Sequence, residues 1–245
     1  MPGKNRQDRA AATGAERTAL AALQSLLASM RRRYDHGHWW PARTRFEMMA
    51  GSILTQRTRW DTAAAAISRL KRRRLLQHDR LAAVATRRIA TVVRPCGDHR
   101  VKARRLAALA RHLAAHGGPA GLARMPTTHL RESLLAVHGI GPETADAILL
   151  YAYGRAVFVA DAYALRFLRR VGWLRRQGLP ARYGPVHDRV TRLMAGRTRD
   201  LADLHAVIVE HGKHLCGARP RCGACFLARR CATGRRITGS RTRGR

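Results

Sequence analysis

Acidic residues and lysine are the scarce components of this sequence. Only 15 Asp and Glu stand against 48 Lys and Arg, which gives a formal net charge of +33 over 245 residues and a pI near 11.8. An imbalance of that size points to a polyanionic partner and argues against a cationic one. Lysine is confined to Lys4, Lys71, Lys102 and Lys213, so chemistry that needs an amine has few candidates. Aromatic residues make up 5% of the chain. Valine-rich alternation never persists beyond a few residues, which leaves little room for a sheet. No run approaches the ~20 apolar residues of a membrane span. The start, MPGKNRQDRAAATGAER, lacks the apolar core of a secretory signal. The expectation is a protein with no membrane partner, cytoplasmic and, in a bacterium, associated with the nucleoid. Cysteine is also sparse. Four of the five crowd into residues 216–231, and in a reducing compartment that pattern favours a metal site over disulfides. Cys96 lies apart and reads as a buried or free thiol.

What the chain does contain is helix. With 46% hydrophobic residues it can bury a core despite its charge. Leu20, Leu23, Leu26, Leu27 and Met30 trace one helix face, Phe46, Met49, Ile53 and Leu54 a second, and Leu106, Leu109 and Leu113 a third. The class predicted is all-α. Residues 1–15 and 233–245 have no periodicity and read as disordered basic arms. Pro126 followed by Thr127 and Thr128 offers an N-cap to LRESLLAVH, a helix that stops at Gly139. Pro142 suits the first turn of the next helix, where its missing N–H costs nothing. Residues 127–154 therefore read as helix, short glycine hairpin, helix.

Gly139 and Gly141, on either side of Ile140, can take positive φ and leave no Cβ between backbone N–H groups and an anion. With a helix N-terminus beside them they form a cradle for a phosphate, which positions a protein on a nucleic-acid backbone without reading bases. Taken alone, the same three residues fit an ordinary inter-helix turn equally well. Cys216, Cys222, Cys225 and Cys231 read C-x5-C-x2-C-x5-C. A single C-x2-C with outer cysteines suits a cubane cluster held by four thiolates, with zinc the lesser alternative.

HGIGPETADAILLYAYGRAVFVADAYALRFLRR (138–170) resembles the helix-hairpin-helix segment of endonuclease III-type DNA glycosylases and the loop that follows it. LTQRT at 54–58, HAVIVEHGKHLC at 205–216 and the terminal cysteines fall in the same family's order. The resemblance runs from about Tyr34 to Cys231. It implies a two-lobed, all-α fold with a helical barrel over 42–154 and an iron–sulfur lobe built from 16–41 and 155–232. Duplex DNA carrying a damaged base is the implied partner, lying across the cleft of a monomer. Asp161 matches the essential carboxylate of the family. Its chemistry agrees, because a carboxylate stabilises the cationic sugar formed as an N-glycosidic bond breaks, although Asp161 also fits an N-cap for AYALRFLRR. Gln56 matches the side chain that fills the gap left by an extruded nucleotide, with Arg57 beside it toward the opposite strand. The four cysteines match the ligands of a [4Fe–4S] cluster, the first interval being one residue shorter than the familiar form.

Bifunctional members carry a lysine where this chain has Glu143, so the Schiff-base route looks closed. The acid at this position, Tyr163, and HWWPARTRFEMMAGSILTQRTRW (38–60) are similar to the branch of 3-methyladenine DNA glycosylase III. That likeness implies monofunctional hydrolysis of alkylated purines, with Trp40 and Trp60, and less strongly Trp39, lining the base pocket. Core packing is the competing role for each tryptophan. Two alternatives stay open: a bifunctional glycosylase/AP lyase acting on oxidised pyrimidines, and a damage-binding protein without catalysis.

Overall fold

A computed structural model of the chain describes residues 13–37 and 39–239. Among these residues there are fourteen α-helices, two short 3-10 turns and no strand, so the chain adopts the all-α class its pattern predicts. In chain order the helices are α1 (Gly14–Arg31), α2 (Arg45–Leu54), α3 (Trp60–Arg72), α4 (His78–Ala83), α5 (Thr86–Val92), α6 (His99–Ala115) and α7 (Gly118–Ala123). There follow α8 (Thr127–Leu135), α9 (Pro142–Tyr153), α10 (Ala162–Arg170), α11 (Trp173–Arg176), α12 (Tyr183–Leu193), α13 (Thr198–His214) and α14 (Ala232–Gly239). Two compact units result. Trp40–Val159 forms one, with α2 to α9; the described residues before Trp40 and after Val159 form the other. No helix among the described residues is long and apolar enough to cross a membrane.

In the unit that contains both ends of the chain, α1 opens with a capping box. Thr13 accepts from the Glu16 N–H while the Glu16 carboxylate accepts from the Thr13 N–H, which satisfies two otherwise orphaned donors. Leu23, Leu26, Leu27 and Met30 are buried, and Leu20 only partly so. At its far end Arg31 donates to Asp200 and Asp203 of α13. The disordered tail expected from residue 233 does not begin there. Residues 232–239 are helical because Gly234 fits against the Ala228 backbone where a Cβ would not, and its N–H is taken by the Cys231 sulfur. Residues 1–12 and 240–245 of the predicted arms lie outside the described residues.

Within Trp40–Val159 the most enclosed helix is α2, whose residues Phe46 to Leu54 are all buried. It packs on α9, and α9 pairs with α8 across the hairpin. The start of α8 departs from expectation. Pro126 is itself the N-cap residue, at φ −54° and ψ 150°, and no threonine hydroxyl caps the helix. Its ring already holds an extended, non-helical geometry, so Thr127 and Thr128 are drawn into the first turn. A forked ion pair ties the two hairpin helices together. Arg131 Nε donates to Asp146 Oδ1 at 2.7 Å and Nη2 to Oδ2 at 3.1 Å, and the Asp146 side chain is fully buried. Removing one partner of a buried pair typically costs about 3 kcal/mol or more. Asp146→Ala is therefore expected to lower unfolding free energy by about 3 kcal/mol in a urea titration, and Asp146→Asn, which keeps one acceptor, by less.

Candidate active site

The sequence-predicted residues fall into two groups, one in each unit. In Trp40–Val159 the hairpin between α8 and α9 uses its two glycines differently. Gly139 has φ +86°, the left-handed region, and a Cβ there would collide with the stem of Arg105. Gly141 instead is extended, at φ −93° and ψ 179°, as the N-cap of α9. The expectation of left-handed freedom thus applies to one glycine only. Pro142, at the first position of α9, favours an extended residue before it. Ile140 turns inward: the residue is 5% exposed and its N–H donates to the Val137 carbonyl.

Gln56 joins the LTQRT turn to this hairpin. Its amide nitrogen donates to the Gly139 carbonyl at 3.1 Å and to the Thr144 hydroxyl at 3.0 Å, while its amide oxygen accepts from Arg105 at 2.5 Å. Beneath the turn lies Lys102, 2% exposed, donating to the Leu54 carbonyl at 2.9 Å and to the Thr58 hydroxyl. Burial pushes its amine below the usual lysine range. Neither Lys102 nor Arg105 stood out in the sequence. Both are basic residues on the helix α6, and only their contacts mark them. Arg57 sits exposed at the tip of the turn with φ +53°. Glu143 occupies the first turn of α9, where the positive end of the helix dipole favours an acid.

The tryptophans separate. Trp40 and Trp60 meet edge to face at 5.8 Å, and Tyr151, which sequence reasoning passed over, lies 5.7 Å from Trp40. Trp60 is 38% exposed. Trp39 belongs to the other unit and packs edge-on against His205 at 5.4 Å.

That second group surrounds Asp161, the N-cap of α10. One carboxylate oxygen accepts the Ala164 N–H at 2.8 Å, and the other lies 3.6 Å from His205 Nε2. The Asp161 side chain is 12% exposed and that of His205 5%. The capping role foreseen for Asp161 is thus real, and it occupies one oxygen only. Trp39 donates its indole N–H to Glu210 at 2.8 Å, and Lys213, 2.8 Å from the same carboxylate, also lies over the Trp39 ring at 5.7 Å. Burial raises the Glu210 carboxyl, but its hydrogen bonds from Lys213 and Trp39 outweigh this and hold it below the usual range. Tyr163 fills the space that a Cβ on Gly212 would need, with the Arg166 guanidinium 4.8 Å from its ring. The signal for His205 and Glu210 was their place as polar residues in the otherwise apolar HAVIVE run.

Cys216, Cys222, Cys225 and Cys231 line one cavity, together with His211. Among the described residues no three His, Cys, Asp or Glu side chains are close enough to ligate a single metal ion. The four thiols facing this cavity are the residues that would hold a metal centre. Burial raises the Cys222 thiol, and Cys231 and Cys216 raise it further, so the donor set gains from a cationic centre. Arg170, at the end of α10, gathers this segment by donating to the Cys216 and Gly217 carbonyls at 3.0 and 2.6 Å and to the Cys216 sulfur at 3.4 Å.

An all-α chain with a glycine hairpin between two helices, followed closely by a helix-capping aspartate, is the arrangement that the resemblance to base-excision helix-hairpin-helix proteins implies. The comparisons agree. Residues 50–183, more than half of the chain, match the family model described as HhH-GPD superfamily base excision DNA repair protein. A Methanocaldococcus jannaschii protein provisionally named a DNA repair glycosylase is 35% identical over 201 residues, covering 81% of this chain and 90% of the relative. H. pylori 3-methyladenine DNA glycosylase, solved bound to 1,N6-ethenoadenine, superposes with a TM-score of 0.60 at 28% identity, over 81% of this chain and 97% of the other. A non-covalent endonuclease III–DNA complex shares the fold at a TM-score of 0.73 and 20% identity, over 90% and 98%. The chain belongs to the HhH-GPD superfamily of base-excision DNA repair proteins.

The two left-handed residues of the site give opposite predictions. Gly139→Ala is expected to cost about 1–3 kcal/mol by combining backbone strain with displacement of Arg105. Arg57→Gly is expected to gain about 1 kcal/mol by relieving the same backbone conformation. Urea titrations of the two variants beside wild type check both signs.

Proposed function

We propose that this protein is a monofunctional DNA glycosylase that hydrolyses the N-glycosidic bond of alkylated purines in duplex DNA. The observation that carries the reading is Asp161, with one oxygen anchored by the Ala164 N–H and the other facing a nearly buried histidine. As the bond to the base stretches, positive charge grows on the deoxyribose. A carboxylate already held in place stabilises that charge more than it stabilises the ground state. The same carboxylate accepts a proton from the attacking water. His205 acts as a positioning residue that keeps the second oxygen from rotating away.

Alkylated purines are favoured for two reasons. An N3-alkylated adenine carries positive charge before the reaction and departs with little acid assistance, which suits a group containing a carboxylate and no obvious acid. Electron-rich aromatic faces hold such a base, at about 0.5–2 kcal/mol beyond stacking alone, and Trp40, Trp60 and Tyr151 supply them. The likeness to the H. pylori 3-methyladenine enzyme supports the same substrate class. Gln56 and Arg57, with the hairpin from Gly139 to Gly141, are proposed to face the DNA, Gln56 exchanging its present bonds for the space vacated by the extruded nucleotide.

An amine-based lyase mechanism is disfavoured by the lysines themselves. The hairpin has Glu143 at the critical place, Lys71 pairs with Glu47 at 2.5 Å, Lys102 is buried under the turn, and Lys213 is held by Glu210. Lys4 lies outside the described residues. The four cysteines are proposed to hold a [4Fe–4S] cluster, which when bound supplies cross-linking of the loop and no chemistry on the base. Arg170 and Arg166 keep that loop against α10.

Release of methylated bases from alkylated duplex separates this reading from a binding-only protein. Asp161→Asn is expected to lower the single-turnover rate by about 10³-fold with DNA affinity retained, and His205→Asn to lower the rate with unchanged KM. Equal, zero release by wild type and Asp161→Asn with intact DNA binding would support the binding-only alternative.

A further inference from the structure

Four guanidinium groups converge on an open groove in Trp40–Val159 that none of the residues discussed above touches. Arg87 and Arg94 approach from α5 and the turn after it, Arg100 and Arg104 from α6, joined by His99 and two threonines; no acid lines the groove. Among the described residues none of the four arginines has an ion pair or a side-chain hydrogen bond. The arrangement is not a simple consequence of a basic composition. A second open groove in the same unit, with Arg43, Arg74 and Arg80, contains Glu47, whose carboxylate pairs with Lys71. There the charge is partly offset; between α5 and α6 it is not. Like charges around one concavity repel until an anion enters, and planar guanidinium forks match phosphate oxygens.

Helix α6 connects the groove to the site. Lys102 and Arg105, on its inner side, hold the LTQRT turn and Gln56. Arg100 and Arg104 are four residues apart on the exposed side of the same helix, one turn from each other. The helix that steadies the turn therefore also carries two of the groove's arginines on its exposed side. We infer that the α5–α6 groove holds the phosphodiester backbone of the duplex flanking the lesion, outside the stretch gripped by the hairpin. An open trough lined by successive cations fits a chain of regularly spaced phosphates, whereas a small anion is held in an enclosed nest. The inference rests on the glycosylase reading for the identity of the polyanion.

The test compares two double variants with the same loss of charge, the first on α6 alone and the control on α5 and α6. Arg100→Ala/Arg104→Ala empties half of the groove. Arg88→Ala/Arg111→Ala removes exposed arginines of α5 and α6 that do not line it. Binding to undamaged duplexes of about one and about three helical turns is followed by fluorescence anisotropy across a salt series, with thermal melts confirming that both variants fold. On the longer duplex the groove variant is expected to bind about tenfold more weakly, with the slope of log K against log salt smaller by about 2. On the shorter duplex it is expected to match the control variant. A loss no greater than the control's, or an equal loss on both lengths, overturns the inference. Base release distinguishes the two readings. If wild type frees no alkylated base while the length-dependent loss is present, the substrate reading fails and the groove stands; intact release without that loss defeats the groove alone.

Discussion

The hydrogen bond from the Ala164 N–H to Asp161 is the constraint on which the rest of the account depends. An N-cap normally serves only its helix, satisfying one of the donors that the first turn leaves orphaned. Here the cap uses a single carboxylate oxygen, so the side chain is fixed in direction while its second oxygen stays available. The helix it begins is only nine residues long and ends at Arg170, which holds the cysteine segment through the Cys216 and Gly217 carbonyls. One short rod thus carries the carboxylate at one end and the loop's anchor at the other. His205 then faces the second oxygen, and Trp39 packs edge-on against His205.

The other unit depends on a comparable economy of polar groups. Gln56 satisfies its amide on both sides, Arg105 supplies one partner and packs where Gly139 has no Cβ, and Lys102 donates to the buried Leu54 carbonyl at the end of α2. Apart from the Arg105 Nε, which is buried without a hydrogen-bond partner, the polar atoms named here are paired, and such pairing stabilises a partly buried network. It makes the LTQRT turn and the hairpin one body, although they are separated by more than eighty residues.

How much of this was legible in the sequence follows from the range over which each signal acts. Helix faces, the all-α class and the hairpin are set by local periodicity, glycine and proline, and they were readable from α1, α2, α6 and α9. Family resemblance added the order of the motifs and, through them, Asp161 and the cysteines. Local reading failed where backbone geometry is decided by a neighbour: Gly141 is extended because Pro142 follows it, Thr127 joins α8 because Pro126 already supplies the cap, and 232–239 is helical because Gly234 fits against Ala228. Long-range partners had no signature. Nothing about Lys102, Arg105 or Tyr151 distinguishes them from other basic or half-buried residues until tertiary packing brings them to Thr58, Gln56 and Trp40. Nor did the neighbouring tryptophans at 39 and 40 suggest that they belong to different units.

The central claim is that water, assisted by a carboxylate, completes the cut in place of an amine. It is tested most directly by incubating wild-type protein with duplex carrying a 3-methyladenine-type lesion in the presence of borohydride. The account predicts base release that leaves an intact, alkali-labile strand and no covalent protein–DNA adduct. A reduced adduct on a lysine, accompanied by strand cleavage without alkali, would contradict it.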